Sequence, residues 1–324
     1  MASDSDESTK GGHSECIRDF FGHGPETPDP LWPLGAKLAL QIVLNYEEGA
    51  ESSVQNGDTH SEHLLTDISG AQPKEGVRCP NIESLYEYGS RAGFWRLHRL
   101  LKSKDIPVTV FACAMALEKN PDAAEAMVAA DWEIASHGYR WLDYQYVDED
   151  TEREHIKKSV EIIKAICGKR PKGIYQGKPN INTRRLIVEE GGFEYDSDAY
   201  SDDLPFWDLN FEPPHLVVPY SLETNDMRFC CSPGFTTGDQ FFTYLRDAVE
   251  YLLEEGRQGS PKMLSVGLHC RIIGRPGRIG GLSKFLDYVK SKGRDVWICK
   301  REEIAEHWRA ERPPKSQGRR YSTS

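Results

Sequence analysis

The chain has 324 residues, 38% hydrophobic and 28% charged, with a formal net charge of −11. That length allows one large α/β domain or two smaller ones, with enough chain to bury a sizeable core. The acidic balance argues against nucleic acid or an anionic membrane as partner, and no apolar run approaches the roughly 20 residues a bilayer span needs.

Taken from the N-terminus, residues 1–15 (MASDSDESTKGGHSE) read as a disordered tail with no apolar segment of the secretory kind. A cytoplasmic location is therefore expected. Residues 16–33 read as an irregular arm rich in proline and aromatics, laid over the surface of the body. The first strand is expected over 37–44, and it breaks into Asn45-Tyr46-Glu47-Glu48-Gly49. A buried strand delivering two carboxylates and a glycine turn is how parallel α/β folds mount chemistry. A long polar stretch, 51–81, follows. A loop of that length in a compact domain is expected to fold over the site or to make subunit contacts.

Beyond it the pattern alternates. Leu97, Leu100 and Leu101 mark a helical face, and 108–112 is a short buried strand. A helix over 121–130 precedes a strand over 132–135, at whose end stand Ser136-His137-Gly138-Tyr139-Arg140-Trp141. The spacing of Ile156, Val160 and Ile163 predicts an amphipathic helix over 151–167. Strands are expected over 173–176, 193–198, 216–219, 263–268 and 295–299. The intervening helices are expected over 182–190, 239–255, 282–292 and 301–309. The tail from 311 to 324 is basic and reads as loose. Roughly seven strand–helix alternations favour a single parallel barrel, spanning 16–310, with a doubly wound open sheet as the alternative. No glycine-rich phosphate loop follows a strand, so nucleotide binding has no support. The eight cysteines form no CxxC pair and read as reduced thiols, Cys270 included.

Four strand ends carry chemistry-bearing residues: Glu47-Glu48, His137 with Trp141, Asp196 with Asp198, and His269 with Arg271. A barrel brings such ends to one mouth. A carboxylate and two imidazoles meeting there can activate water and protonate a leaving nitrogen.

The segments NYEEG, EIASHGYRW, NTRRLIVEEGGFEYDSDAYSDDLPFW, VVPYSLETNDMRF and SVGLHCRIIGRPGR together resemble the polysaccharide deacetylase (NodB-homology) superfamily. Within it the likeness is greatest to the PuuE-type allantoinases of urate catabolism, and it covers about residues 17–309. The resemblance implies a distorted TIM-like (β/α) barrel. It maps the family's base onto Glu47, its metal-binding acid onto Glu48, its first metal histidine onto His137 and its late acid histidine onto His269. The second metal histidine falls on Trp141, whose indole N–H is a donor without a lone pair for a metal. The set left over is poor for tight zinc binding. The resemblance therefore implies water activation by carboxylate and imidazole with no metal, as in the PuuE-type enzymes. A divalent ion such as zinc or cobalt is the alternative if the chain is a true deacetylase.

On this reading Glu47, His137 and His269 are the catalytic candidates. Glu48, Trp141, Tyr175, Lys178, Asp198 and Arg271 are the substrate-binding candidates. The segment Ile174-Tyr175-Gln176-Gly177-Lys178 departs from the W-Y-T-G-R of PuuE-type enzymes, and a lysine does not replace an arginine at a two-pronged contact. The leading expectation is a hydrolase that opens the hydantoin ring of allantoin to allantoate. The alternatives are a polysaccharide N-deacetylase acting on chitin or chitooligosaccharide, and an inactive protein of the same fold. The substrate is accordingly a small ureide or an acetylated glycan. The resemblance further implies a homo-oligomer, possibly a tetramer.

Overall fold

In the computed structural model, residues 18–68 and 70–314 are described. The N-terminal tail expected over 1–15, and all but the first residues of the C-terminal tail expected over 311–324, lie outside them.

The elements follow in order: β1 (Leu38–Tyr46), α1 (Pro80–Tyr88), α2 (Phe94–Ser103), β2 (Val108–Ala112), α3 (Ala114–Lys119), α4 (Pro121–Ala129) and β3 (Glu133–Ser136). The chain continues through α5 (Glu149–Cys167), β4 (Gly173–Ile174), α6 (Thr183–Glu190), β5 (Tyr195–Asp196), β6 (Phe206–Asp208) and β7 (His215–Val217). It ends with α7 (Gly238–Arg257), β8 (Lys262–His269), α8 (Pro276–Ser291), β9 (Val296–Ile298) and α9 (Arg301–Glu311).

The sheet runs β6-β7-β5-β4-β3-β2-β1-β8, with β9 paired to the start of β1. It curls so that its two edges meet. Gly267 N donates to Thr224 O (3.2 Å) and Met263 N to Asp203 O (3.0 Å), spanning the gap beside β8. The result is a distorted (β/α) barrel of the NodB type rather than the doubly wound open sheet. One strand departs from the all-parallel expectation: β6 runs antiparallel to β7. The short link between them is too short for a crossover helix, and such links join antiparallel neighbours.

β1 is the axis. All nine of its residues are buried, as a parallel strand covered on both faces requires. Leu40, Ile42, Leu44 and Tyr46 pack outward with helix residues such as Leu97, Leu245 and Leu286. Val43 points inward to Phe111, Ala135, Tyr175 and Tyr220. With a side-chain period of two, the inward series is 39, 41, 43, 45, and the next member is Glu47. Arg301 fills the barrel interior lower down. It is fully buried, with Nη2 donating to Ser197 Oγ (3.0 Å), Pro219 O (2.8 Å) and Val218 O.

The helical layer starts at Pro80, two residues inside the loop expected over 51–81. Proline at the first helical position supplies the preset φ and lacks only an N–H that would be unpaired anyway. α8 likewise starts at Pro276, six residues before the expected 282, because Gly277, Gly280 and Gly281 weaken the apolar pattern there. The seven described cysteines are all free. Among the described residues no helix is long and apolar enough to cross a membrane.

Candidate active site

Glu47 follows the last residue of β1 and faces the barrel interior, 1% exposed. Its Oε1 lies 3.3 Å from His137 Nε2 and 3.6 Å from His269 Nε2, and its Oε2 lies 2.8 Å from Arg271 Nη2. Glu48 turns the other way. Its Oε2 accepts the Glu47 N–H (3.2 Å) and its Oε1 accepts the Arg271 N–H (3.2 Å). The Glu48 side chain can lie there because Gly89 carries none: a Cβ at Gly89 would stand 2.5 Å from Glu48 Oε1. Gly89 opens a π-type turn, Gly89–Gly93, joining α1 to α2, a local widening often found beside functional sites.

His137 extends β3 by one residue, its N–H donating to Ala112 O (2.8 Å). Its Nδ1 lies 2.6 Å from Tyr175 O, which can only accept, so the ring proton sits on Nδ1. Its Nε2 meets Glu47 Oε1 (3.3 Å). Tyr175 contributes this carbonyl and a ring stacked on His137 (5.1 Å between centroids, 27°), while its hydroxyl meets that of Tyr200 (2.7 Å). Asp198 accepts the N–H groups of Gln176 and Gly177, both at 2.7 Å, and so fixes the turn that carries Tyr175 and Lys178.

His269 ends β8. Asp226, which the sequence reading did not single out, holds it. Asp226 Oδ1 lies 2.6 Å from His269 Nδ1, and Oδ2 accepts the N–H groups of His269 (2.8 Å) and Ile273 (3.1 Å). The only sequence signal was its place in VVPYSLETNDMRF. An acid in a loop of that kind has no periodicity to announce it.

Arg271 is 2% exposed, its guanidinium 4.3 Å from the Tyr86 ring centroid and 5.3 Å from that of Trp141. Lys178 Nζ lies 3.7 Å from the Trp141 ring centroid and 3.7 Å from Glu62 Oε2. Segment 51–68 closes over this group: Leu65 O accepts from Arg271 Nε (3.3 Å), and Asp67 pairs with Arg278. Of the expected residues, Glu47, Glu48, His137, His269, Arg271 and Trp141 come together. Tyr175, Lys178 and Asp198 adjoin them. Asp196 stands apart, held by Arg184 Nε (2.8 Å) and His215 Nε2 (3.0 Å).

The charges follow from these contacts. Burial alone would raise the Glu47 pKa, but Arg271 and then His269 outweigh it and hold the carboxyl well below its usual range. Burial drives Glu48 upward, Arg271 offsets part of the rise and Glu47 adds to it. Burial opposes the charge on His269, yet Asp226 and Glu47 raise its pKa to about 9. Burial and then Asp196 raise Asp198 to about 7. The resting site at neutral pH is thus an ionised Glu47 in ion-pair contact with a protonated His269.

The donor set fits a divalent ion poorly. Of the three side chains the family pattern would use, Trp141 offers no lone pair, and Glu48 is taken up by Arg271 and the Glu47 N–H. Among the described residues no cluster of three or more His, Cys, Asp or Glu has the arrangement of a metal site.

A family model for polysaccharide deacetylase matches residues 74–190. A Schizosaccharomyces pombe protein described as a candidate polysaccharide deacetylase is 43% identical over 317 residues, covering 92% of this chain and 99% of its own. The chain belongs to the polysaccharide deacetylase family. It is a family of hydrolases acting on carbon–nitrogen bonds. Two solved structures share the deacetylase barrel closely. A probable polysaccharide deacetylase from Pseudomonas aeruginosa is 55% identical, with a TM-score of 0.90 over 92% of this chain and 99% of that one. The PuuE allantoinase is 53% identical, with a TM-score of 0.90 over the same shares. Within this deacetylase-family chain, Glu47 and His269 lie outside the 74–190 match, and His137 and Trp141 lie inside it.

Proposed function

We propose that this protein is a metal-independent cyclic amidohydrolase that opens the hydantoin ring of allantoin to allantoate. The observation that carries the reading is the closed contact of Glu47 with His137, His269 and Arg271, all at most 4% exposed. Residues buried to that degree suit a small ureide better than a polymer, which needs an open groove. The 53% identity to the PuuE allantoinase structure supports the same choice.

A water donates a hydrogen to the Glu47 carboxylate, and His137 beside it orients the water oxygen toward the ring amide carbon. The C–O bond forms as Glu47 takes the proton. The ring C–N bond then breaks as His269 gives its proton to the departing nitrogen. Asp226 stabilises the charged imidazole before transfer and fixes its orientation. Trp141, with Lys178 and Arg271 over its ring, borders the substrate.

A second reading, removal of acetate from an acetylated glycan, is favoured by the names of the relatives. One paired assay separates them. Racemic allantoin and an acetylated chitooligomer are incubated with the protein, each with and without EDTA. Allantoate formation that resists EDTA is the expected result. Acetate release that needs added metal would replace this proposal with the second reading.

A further inference from the structure

The Arg271 guanidinium offers more hydrogen-bond capacity than the protein uses. Nε is taken by Leu65 O, but neither Nη1 nor Nη2 has an aligned acceptor, although the side chain is 2% exposed. Nη2 approaches Glu47 Oε2 to 2.8 Å, and that oxygen too lacks an aligned donor. Nη1 lies 3.6 Å from Glu48 Oε1. These contacts are ion pairs with two carboxylates, and they leave guanidinium hydrogens over. The group is nevertheless held firmly, between the Tyr86 and Trp141 faces, with its backbone N–H on Glu48. A buried charged donor is costly to leave unsaturated, so a guanidinium with hydrogens to spare beside Glu47 has room for a further acceptor.

We propose that Arg271 is the electrophile of the site: its Nη groups bind the carbonyl oxygen under attack and then the oxyanion, the task a divalent cation performs in a metal-dependent hydrolase. The inference rests on the reading of Glu47 as base. The guanidinium already faces both carboxylates, so it and a divalent ion exclude one another there. It also sets substrate chemistry. The ligand brings an sp² or carboxylate oxygen to a flat two-pronged donor, which a ureide carbonyl or a small carboxylate matches and an ammonium would not. As the oxyanion forms, the guanidinium shares its charge with that oxygen instead of Glu47. Glu47 then becomes a stronger base at the moment it is needed.

The test uses two readouts on full-length Arg271→Lys and Arg271→Ala, each first shown to be folded by circular dichroism. The first is binding of N-carbamoylglycine, an open-chain ureide carboxylate, measured by calorimetry. The second is allantoin turnover with and without added guanidinium chloride at millimolar concentration. We expect binding to weaken at least tenfold in both variants. Turnover is expected to fall at least a hundredfold in both, and guanidinium to restore at least tenfold in Arg271→Ala only. Lysine retaining wild-type binding and turnover would overturn the assignment, as would an alanine variant that guanidinium fails to rescue. If wild-type protein binds the probe and the variants do not, but allantoin is not turned over, the electrophile assignment stands and the choice of substrate fails.

Discussion

His269 sits between two carboxylates, Asp226 behind it and Glu47 in front, and its charge is the property to test first. Its folded pKa, about 9, lies above the ordinary 6.5. The stability it contributes is therefore fully present below about pH 6.5 and is lost as pH rises through about 9. Glu47 has the opposite sign: its folded pKa is depressed, so its contribution holds above the ordinary carboxylate range and is lost as pH falls below it. For catalysis, kcat/KM reports the free enzyme, so it is expected to fall above about pH 9 as His269 loses its proton. Asp226→Asn is expected to move that alkaline limb down by about 1–3 pH units, since an adjacent opposite charge shifts a pKa by that much. An unmoved limb in a folded Asp226→Asn protein would separate His269 from the acid role.

At the scale of elements, the approach of Glu48 to the α1–α2 turn depends on one missing side chain. Gly89→Ala would place a Cβ 2.5 Å from Glu48 Oε1. Overpacking of this kind costs about 1–3 kcal/mol. Urea denaturation is expected to show that loss, with Glu48 displaced and kcat reduced, whereas unchanged stability and kcat would show that the turn gives way freely. This dependence was not legible in the sequence, where Gly89 stands among other glycines with no pattern to single it out. β1 was legible, because a run rich in leucine, isoleucine and valine that ends in two acids can hardly be another element. The facing of Glu47 followed from the period of two, once the inward set was known. Asp226, the reach of Leu65 to Arg271 and the early start of α8 were not. They depend on contacts between residues more than forty positions apart, or on glycine and proline effects that blur periodicity. The antiparallel β6 was hidden for a related reason: three residues paired at a sheet edge carry little pattern of their own.

For the whole molecule, the barrel is pinned from inside by Arg301. Its guanidinium donates to Ser197, Gln41, Val218 and Pro219, and its backbone N–H donates to Thr109 Oγ1, so one side chain ties the sheet's two halves together. Leaving a buried acceptor unpaired costs about 1–3 kcal/mol. Arg301→Met is expected to lower unfolding stability by about that amount, read by urea denaturation, while leaving the fold's far-ultraviolet spectrum intact. A loss below about 1 kcal/mol would show that the barrel does not depend on it. The same architecture delivers β1, β3 and β8 to one mouth, and segment 51–68 closes that mouth around Arg271. Everything proposed for function depends on Glu47 acting as base in that closed space without an ion. The most direct measurement is kcat/KM for allantoin ring opening by metal-stripped wild-type protein and by Glu47→Gln. Full activity is expected in the stripped wild type, with a fall of about 10²–10⁴ in the variant. Activity that vanishes on stripping and returns with zinc, or a Glu47→Gln protein as active as the wild type, would contradict this expectation.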